Sequence, residues 1–125
     1  MDNPIFDNTG RKMKRKSKYN AVKTKIDGIL FHSKKEGNRY LDLKMLEKAG
    51  NIHSLELQPS FDIVPRIKWN GKTLAKRAYR ADFKYYDMMT GQWTVEDVKG
   101  FMTAMYKIKR QLFLNQYPQY LFIET

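Results

Sequence analysis

Between Leu74 and Lys99 the chain carries two long runs of strand-forming residues joined by four turn residues, and no other feature restricts its fold as much. In the first run Tyr79, Ala81, Phe83 and Tyr85 alternate with Arg80, Asp82, Lys84 and Tyr86. That period of two predicts a strand from Leu74 to Asp87. Met88 to Gly91 form a turn, and Gln92 to Lys99 read as the antiparallel partner. Gly100 breaks the run. Met102 to Tyr117 then show helical spacing through Met105, Ile108, Leu112 and Asn115, flanked by Tyr106, Phe113 and Gln116, and Pro118 ends the helix. Tyr120 to Glu124 form a last apolar strand. Strand, helix, strand in this order implies a right-handed crossover and a parallel pair.

Upstream, Ser33-Lys34-Lys35-Glu36 matches a capping box and opens a helix from about Lys34 to Ala49. Tyr40, Leu41, Met45 and Ala49 provide its apolar spacing, and Gly50 suits the left-handed position just beyond its end. Gly28 to Phe31 read as a short extended lead-in. Ile52 to Gln58 read as a strand that Pro59 interrupts, and Phe61 to Trp69 as a second extended run. Asn70-Gly71 is a strong hairpin signal. The expected architecture is α/β (α+β): a mixed sheet with helices packed on it.

At 125 residues the chain is long enough for one domain with a modest core. Its net charge of +11 points to a polyanionic partner. No apolar run approaches the ~20 residues that cross a bilayer, so a soluble, cytoplasmic protein that binds nucleic acid is expected, with no membrane partner. The plainer alternative is that the charge only aids solubility. Without cysteine there is no disulfide, thiolate zinc site or cysteine nucleophile. His32 and His53 cannot make a zinc site alone, and each reads as a surface or capping residue. Asn8 to Ile26 contain no acidic residue. Residues 1–25 therefore read as a flexible basic arm whose Arg11, Lys12, Lys14, Arg15, Lys16 and Lys18 would contact phosphate. Residues 26–125 read as the folded domain.

The chemistry concentrates on the two long strands. If Asp87 pairs with Gln92, the register sets Asp82 opposite Asp97, ~5 Å apart on one face. Lys99, two residues beyond Asp97, shares that face. Facing carboxylates repel unless one is protonated or a cation lies between them. Hard oxygen donors suit Mg²⁺ or Mn²⁺, which keep several waters and accept phosphate oxygens. An adjacent ammonium can orient water and offset transition-state charge, so the parts match those of phosphodiester hydrolysis. The bland alternative is a solvated face with ordinary ion pairs. Glu96 should point to the opposite sheet face and act as a salt-bridge partner. Glu36 is either the third residue of a helix cap or a third carboxylate; spacing alone slightly favours the cap.

At these residues the chain resembles the PD-(D/E)XK nuclease superfamily, which combines a helix-borne Glu, a strand Asp and a (D/E)-x-K triplet. The matching positions are Glu36, Asp82 in Arg80-Ala81-Asp82-Phe83, and Asp97-Val98-Lys99. The residue before Asp82 is Ala81 rather than proline. More narrowly, the chain is similar to an uncharacterised phage-associated family through Tyr19-Asn20-Ala21, Phe31-His32-Ser33-Lys34-Lys35-Glu36, Leu57-Gln58-Pro59 and Val95-Glu96-Asp97-Val98-Lys99-Gly100. The resemblance implies a restriction-endonuclease-like αβββαβ core with extra N-terminal strands. It implies Glu36, Asp82, Asp97 and Lys99 as catalytic residues of a Mg²⁺- or Mn²⁺-dependent endodeoxyribonuclease. Asp82, Asp97 and the Val98 carbonyl would hold metal, with Glu36 in support and Gln58 lining the site. Lys107, Lys109 and Arg110 would add phosphate contacts. By analogy the substrate is branched DNA such as a Holliday junction and the enzyme a homodimer, placed in the host cytoplasm if phage-encoded. The rivals are a repair or packaging nuclease acting on duplex DNA, a basic module that binds nucleic acid without turnover, and an RNA-binding protein.

Overall fold

The computed structural model describes residues 22–125. The phosphate-contact residues expected on the arm, Arg11 to Lys18, lie outside that range, as does Tyr19-Asn20-Ala21. Thr24 and Lys25, at the end of the expected arm, are in a strand. β1 (Thr24–Ile26) pairs with β2 (Ile29–Phe31) through Asp27 and Gly28, which have φ of 53° and 76°. Both central residues with φ > 0 make a type I′ turn, which suits the twist of a tight hairpin.

α1 (Lys34–Lys48) starts on the expected N-cap, the Ser33 hydroxyl accepting the Glu36 N–H at 3.1 Å, while the Glu36 carboxylate meets the His32 backbone rather than closing the box on Ser33. It ends in a Schellman arrangement. Asn51 N–H donates to Leu46 O, Gly50 N–H donates to Glu47 O, and Gly50 has φ 81°. Its buried face differs from the expected one. Glu36, Gly37, Tyr40 and Leu43 are buried, whereas Leu41 and Met45 are exposed. Gly37 explains part of the rotation. A Cβ there would stand 2.9 Å from Ile26 Cδ1, so glycine lets the β1–β2 hairpin lie on the helix.

The central sheet has four strands in the order β10 (Leu121–Glu124), β9 (Gln92–Asp97), β8 (Phe83–Asp87) and β3 (Ile52–Leu57). β3, β8 and β9 are antiparallel neighbours, and β10 returns parallel to β9 after α2 (Ala104–Gln116). Three two-stranded pairs complete a mixed α+β fold: β1–β2, β4 (Ser60–Val64) with β7 (Arg77–Arg80), and β5 (Ile67–Trp69) with β6 (Lys72–Leu74).

The expected long strand from Leu74 to Asp87 is broken into β6, β7 and β8, and the run from Phe61 to Trp69 is broken at Pro65. The break at Ala81–Asp82 matters most. Tyr79 and Ala81 belong to a core cluster with Phe61, Ile63, Val95 and Phe113. Phe83 and Tyr85 belong to the other, with Phe31, Tyr40, Leu43 and Ile52. The chain therefore turns over at Asp82 and feeds both faces of the sheet. Burying Phe83 and Phe113 completely contributes about 2–3 kcal/mol each. α2 also presents an unexpected face: Phe113 is buried, while Met105 and Ile108 of the anticipated apolar stripe are exposed.

Candidate active site

Asp82 and Asp97 meet where the regular pairing of β8 and β9 ends. The last in-register pair is Phe83 with Glu96, as the turn-based register requires. One step further, the Asp82 N–H donates to Glu96 O at 3.2 Å, a local slip at the chain reversal. The charge of Asp97 still acts on the Asp82 carboxyl, and the Val98 N–H donates to Asp82 Oδ2 at 2.7 Å. Burial, the charge of Asp97 and the charge of Glu36 push the Asp82 pKa up to about 8, against the pull of the Val98 N–H. Burial and neighbouring negative charge thus disfavour the ionised form of Asp82, a penalty that a cation beside it would relieve.

Glu36 reaches the same region from the first turn of α1. It is 6% exposed, and burial raises its pKa, opposed by His32 and assisted by the charge of Asp97. The residue is thus both the third position of the helix cap and the third acid of the cluster. Lys99 shares the face of Asp97, as its two-residue spacing predicts. Its Nζ lies 3.6 Å from Asp97 Oδ1, 3.3 Å from Glu124 Oε2 and 3.5 Å from the centre of the Tyr106 ring.

Tyr79, Tyr106 and Glu124 complete this cluster and are absent from the sequence-based assignment. The Tyr79 hydroxyl donates to Asp97 Oδ2. Glu124 is the in-register partner of Asp97 across the parallel pair β10–β9, and accepts from the Tyr106 hydroxyl at 2.6 Å and from Arg110 Nη1 at 2.9 Å. Arg110, expected on phosphate, thus directs its guanidinium to Glu124. Lys107 is exposed on α2, and Lys109 helps line a cleft of about 470 Å³ with Ser60, Arg80, Thr103 and Tyr106. The cleft adjoins the Tyr79–Tyr106 side of the cluster.

Gln58 faces Asp82 from the continuation of β3. Its N–H donates to Asp82 O at 2.9 Å, its φ is 52° and its side chain is exposed. Glu96 occupies the opposite sheet face. It is fully buried, accepts from Arg39 Nε and Nη2 and from the Tyr85 hydroxyl, and so is a structural ion pair. His53 stacks on Tyr86, and His32 is exposed.

Asp82 and Asp97 offer the hard oxygens that Mg²⁺ or Mn²⁺ prefers, and the raised pKa of Asp82 marks crowded negative charge that a cation would relieve. Among the described residues no three His, Cys, Asp or Glu side chains form a ready cage for a metal. A cation here would rely on two carboxylates completed by main chain, water or phosphate, as Mg²⁺ commonly does.

Two carboxylates from adjacent strand ends, a helix-borne acid and a lysine on one α+β frame define a polar, charge-dense site. The chain belongs to the family described as "Protein of unknown function (DUF1064)", whose model matches residues 16–123. No curated protein and no solved structure matches the chain. Among the described residues no helix is long and apolar enough to cross a membrane.

Proposed function

We propose that this protein is a Mg²⁺- or Mn²⁺-dependent endodeoxyribonuclease of the PD-(D/E)XK type that hydrolyses phosphodiester bonds in duplex or branched DNA. The observation that carries this reading is the convergence of Asp82 and Asp97 with the Lys99 ammonium 3.6 Å from Asp97. The order of elements around the central sheet supports it. Helix α1, antiparallel strands β3, β8 and β9, helix α2 and parallel strand β10 follow the αβββαβ sequence of a restriction-endonuclease-like core.

Asp82 and Asp97 would hold the metal, with the Val98 carbonyl and Glu36 as further oxygen donors. When bound, the ion would polarise the phosphate and make a nucleophilic hydroxide available near neutral pH. The protein's own groups do the rest. The Val98 N–H and the Tyr79 hydroxyl fix one oxygen each of Asp82 and Asp97, so both carboxylates arrive oriented. Lys99 carries its charge where negative charge grows on phosphate, and Glu124 and the Tyr106 ring hold its ammonium on that face. Arg80 and Lys109 give the adjoining cleft the sign that suits a phosphate backbone.

The rival is a basic nucleic-acid-binding module without turnover, favoured by the net charge and by the lack of a three-donor cage among the described residues. Nicking of supercoiled plasmid, and cutting of linear, flap and four-way DNA with Mg²⁺ or Mn²⁺, separate the two. Asp97→Asn should abolish cleavage yet keep or strengthen metal-free DNA binding, because it removes a negative charge near phosphate. Wild-type cleavage by Asp97→Asn, or no cleavage of any substrate by the wild type, would overturn the hydrolytic reading.

A further inference from the structure

β5 and β6 form a ribbon that the acidic centre does not use. Asn70 and Gly71, with φ of 52° and 73°, close it in a two-residue turn, and every residue from 65 to 77 is exposed. Its strands pair only with each other among the described residues. The register Ile67–Leu74, Lys68–Thr73 and Trp69–Lys72 sets Ile67, Trp69, Lys72 and Leu74 on one face. Trp69 is 61% exposed and Ile67 49%, so three large apolar side chains stand in water on a two-stranded ribbon that gains little stability by itself.

The charge of the ribbon is one-sided. Arg66, Lys68, Lys72, Lys76 and Arg77 occur within twelve residues that contain no acid. Only Lys76 has an ion pair, 3.5 Å from Asp62, among the described residues. Cations around an exposed indole match a polymer that presents phosphates and aromatic faces together. Stacking on a base rewards the tryptophan, and counterion release rewards the lysines. A second copy of the ribbon would bring five more cations against these five and is disfavoured. An anionic lipid surface matches the charge as well, but the ribbon's place in the fold favours nucleic acid. β6 runs through two residues into β7, which ends beside Asp82, so at most ~33 Å of extended chain separates Lys72 from the acid pair. That is about one helical turn of duplex.

We propose that the β5–β6 ribbon is a nucleic-acid-binding element in which Trp69 stacks on an unpaired base while Arg66, Lys68, Lys72 and Arg77 neutralise the flanking phosphates. It rests on exposure, register and charge, and the choice of nucleic acid over lipid rests also on the reading proposed for the acidic centre.

The test is fluorescence anisotropy of the full-length protein in EDTA, which removes cleavage from the measurement. The probes are a single-stranded oligonucleotide, a hairpin with a single-stranded tail and a blunt duplex. Trp69→Ala should weaken binding to the two probes with unpaired bases on the order of tenfold, and to the blunt duplex less than about twofold. Trp69→Phe, which keeps an aromatic face, should stay within about threefold of wild type. Lys68→Gln with Lys72→Gln should lower the slope of log affinity against log salt by about 1.4 on the single strand. Equal affinity of Trp69→Ala and wild type for all three probes would overturn the proposal. So would a Trp69-dependent preference for phosphatidylserine vesicles over DNA, or a change of oligomeric state in Trp69→Ala at unchanged DNA affinity. A protein that cuts no DNA but shows the Trp69 losses supports the ribbon and removes the nuclease reading alone.

Discussion

Replacing Asp82 by asparagine should make the folded protein more stable than the wild type at pH 8. In the native state the Asp82 pKa is pushed up from 3.8 to about 8 by burial and by the charges of Asp97 and Glu36. The unfolded chain gives up that proton near pH 4, and the folded chain keeps it until about pH 8. Stability from this group is therefore fully present below pH 4 and lost progressively as pH rises to about 8. At ~1.4 kcal/mol per pH unit the gap sets a ceiling of about 6 kcal/mol. Water reaches the half-buried carboxyl and screens much of this, so a penalty of about 2 kcal/mol is expected. The amide can still accept the Val98 N–H, so the substitution removes the charge and keeps the hydrogen bond. The assay is thermal unfolding of both proteins in EDTA from pH 4 to pH 9. Their midpoints should coincide near pH 4 and diverge to on the order of 8 °C at pH 8, with the variant higher. Saturating Mn²⁺ should raise the wild-type midpoint at pH 8 and leave the variant nearly unmoved. A variant less stable at every pH, or a difference that does not change with pH, would show that no charge is being forced into this site.

Two further outcomes follow from neighbouring groups. On the proposed hydrolytic reading, Lys99→Gln should cut cleavage on the order of 100-fold while leaving metal-dependent stabilisation intact, since its ammonium would serve transition-state charge; single-turnover rates and melting with Mn²⁺ measure the two effects separately. Arg39→Ala should cost about 3 kcal/mol in urea unfolding by leaving fully buried Glu96 without its cation, and Arg39→Met combined with Glu96→Met should cost less than that single change.

The parts of the site visible in the sequence are those fixed by local geometry. The i, i+2 spacing puts Asp97 and Lys99 on one face and sends Glu96 to the other, and the four turn residues before Gln92 set the register that brings Asp82 near Asp97. Ser33 and Gly50 bound α1 for equally local reasons: one hydroxyl caps the first turn and one left-handed residue ends the last. What escapes the sequence depends on contacts between distant segments. The alternation from Tyr79 to Tyr86 runs on without a mark at Asp82, although the chain turns over there. That reversal is shaped from across the sheet, where the N–H of Gln58, with φ 52°, donates to Asp82 O and the Pro59 carbonyl accepts from the Ala81 N–H. The inward face of α1 is chosen by a hairpin at residues 24–31 that needs a glycine beneath it, so counting apolar residues along the helix finds Leu41 and Met45 instead. Glu124 is a similar case. An acid at the end of an otherwise apolar strand is a usable signal, but its partner is unknown until β10 lies parallel to β9 in a definite register, and only that register brings it beside Asp97. Tyr79 and Tyr106 look like core aromatics because most of each ring is one; only the hydroxyls belong to the site. The candidate acid pair and lysine could thus be read from two strands and a turn, whereas the groups that hold them in place come from the crossover helix and the last strand, whose registers no spacing rule determines.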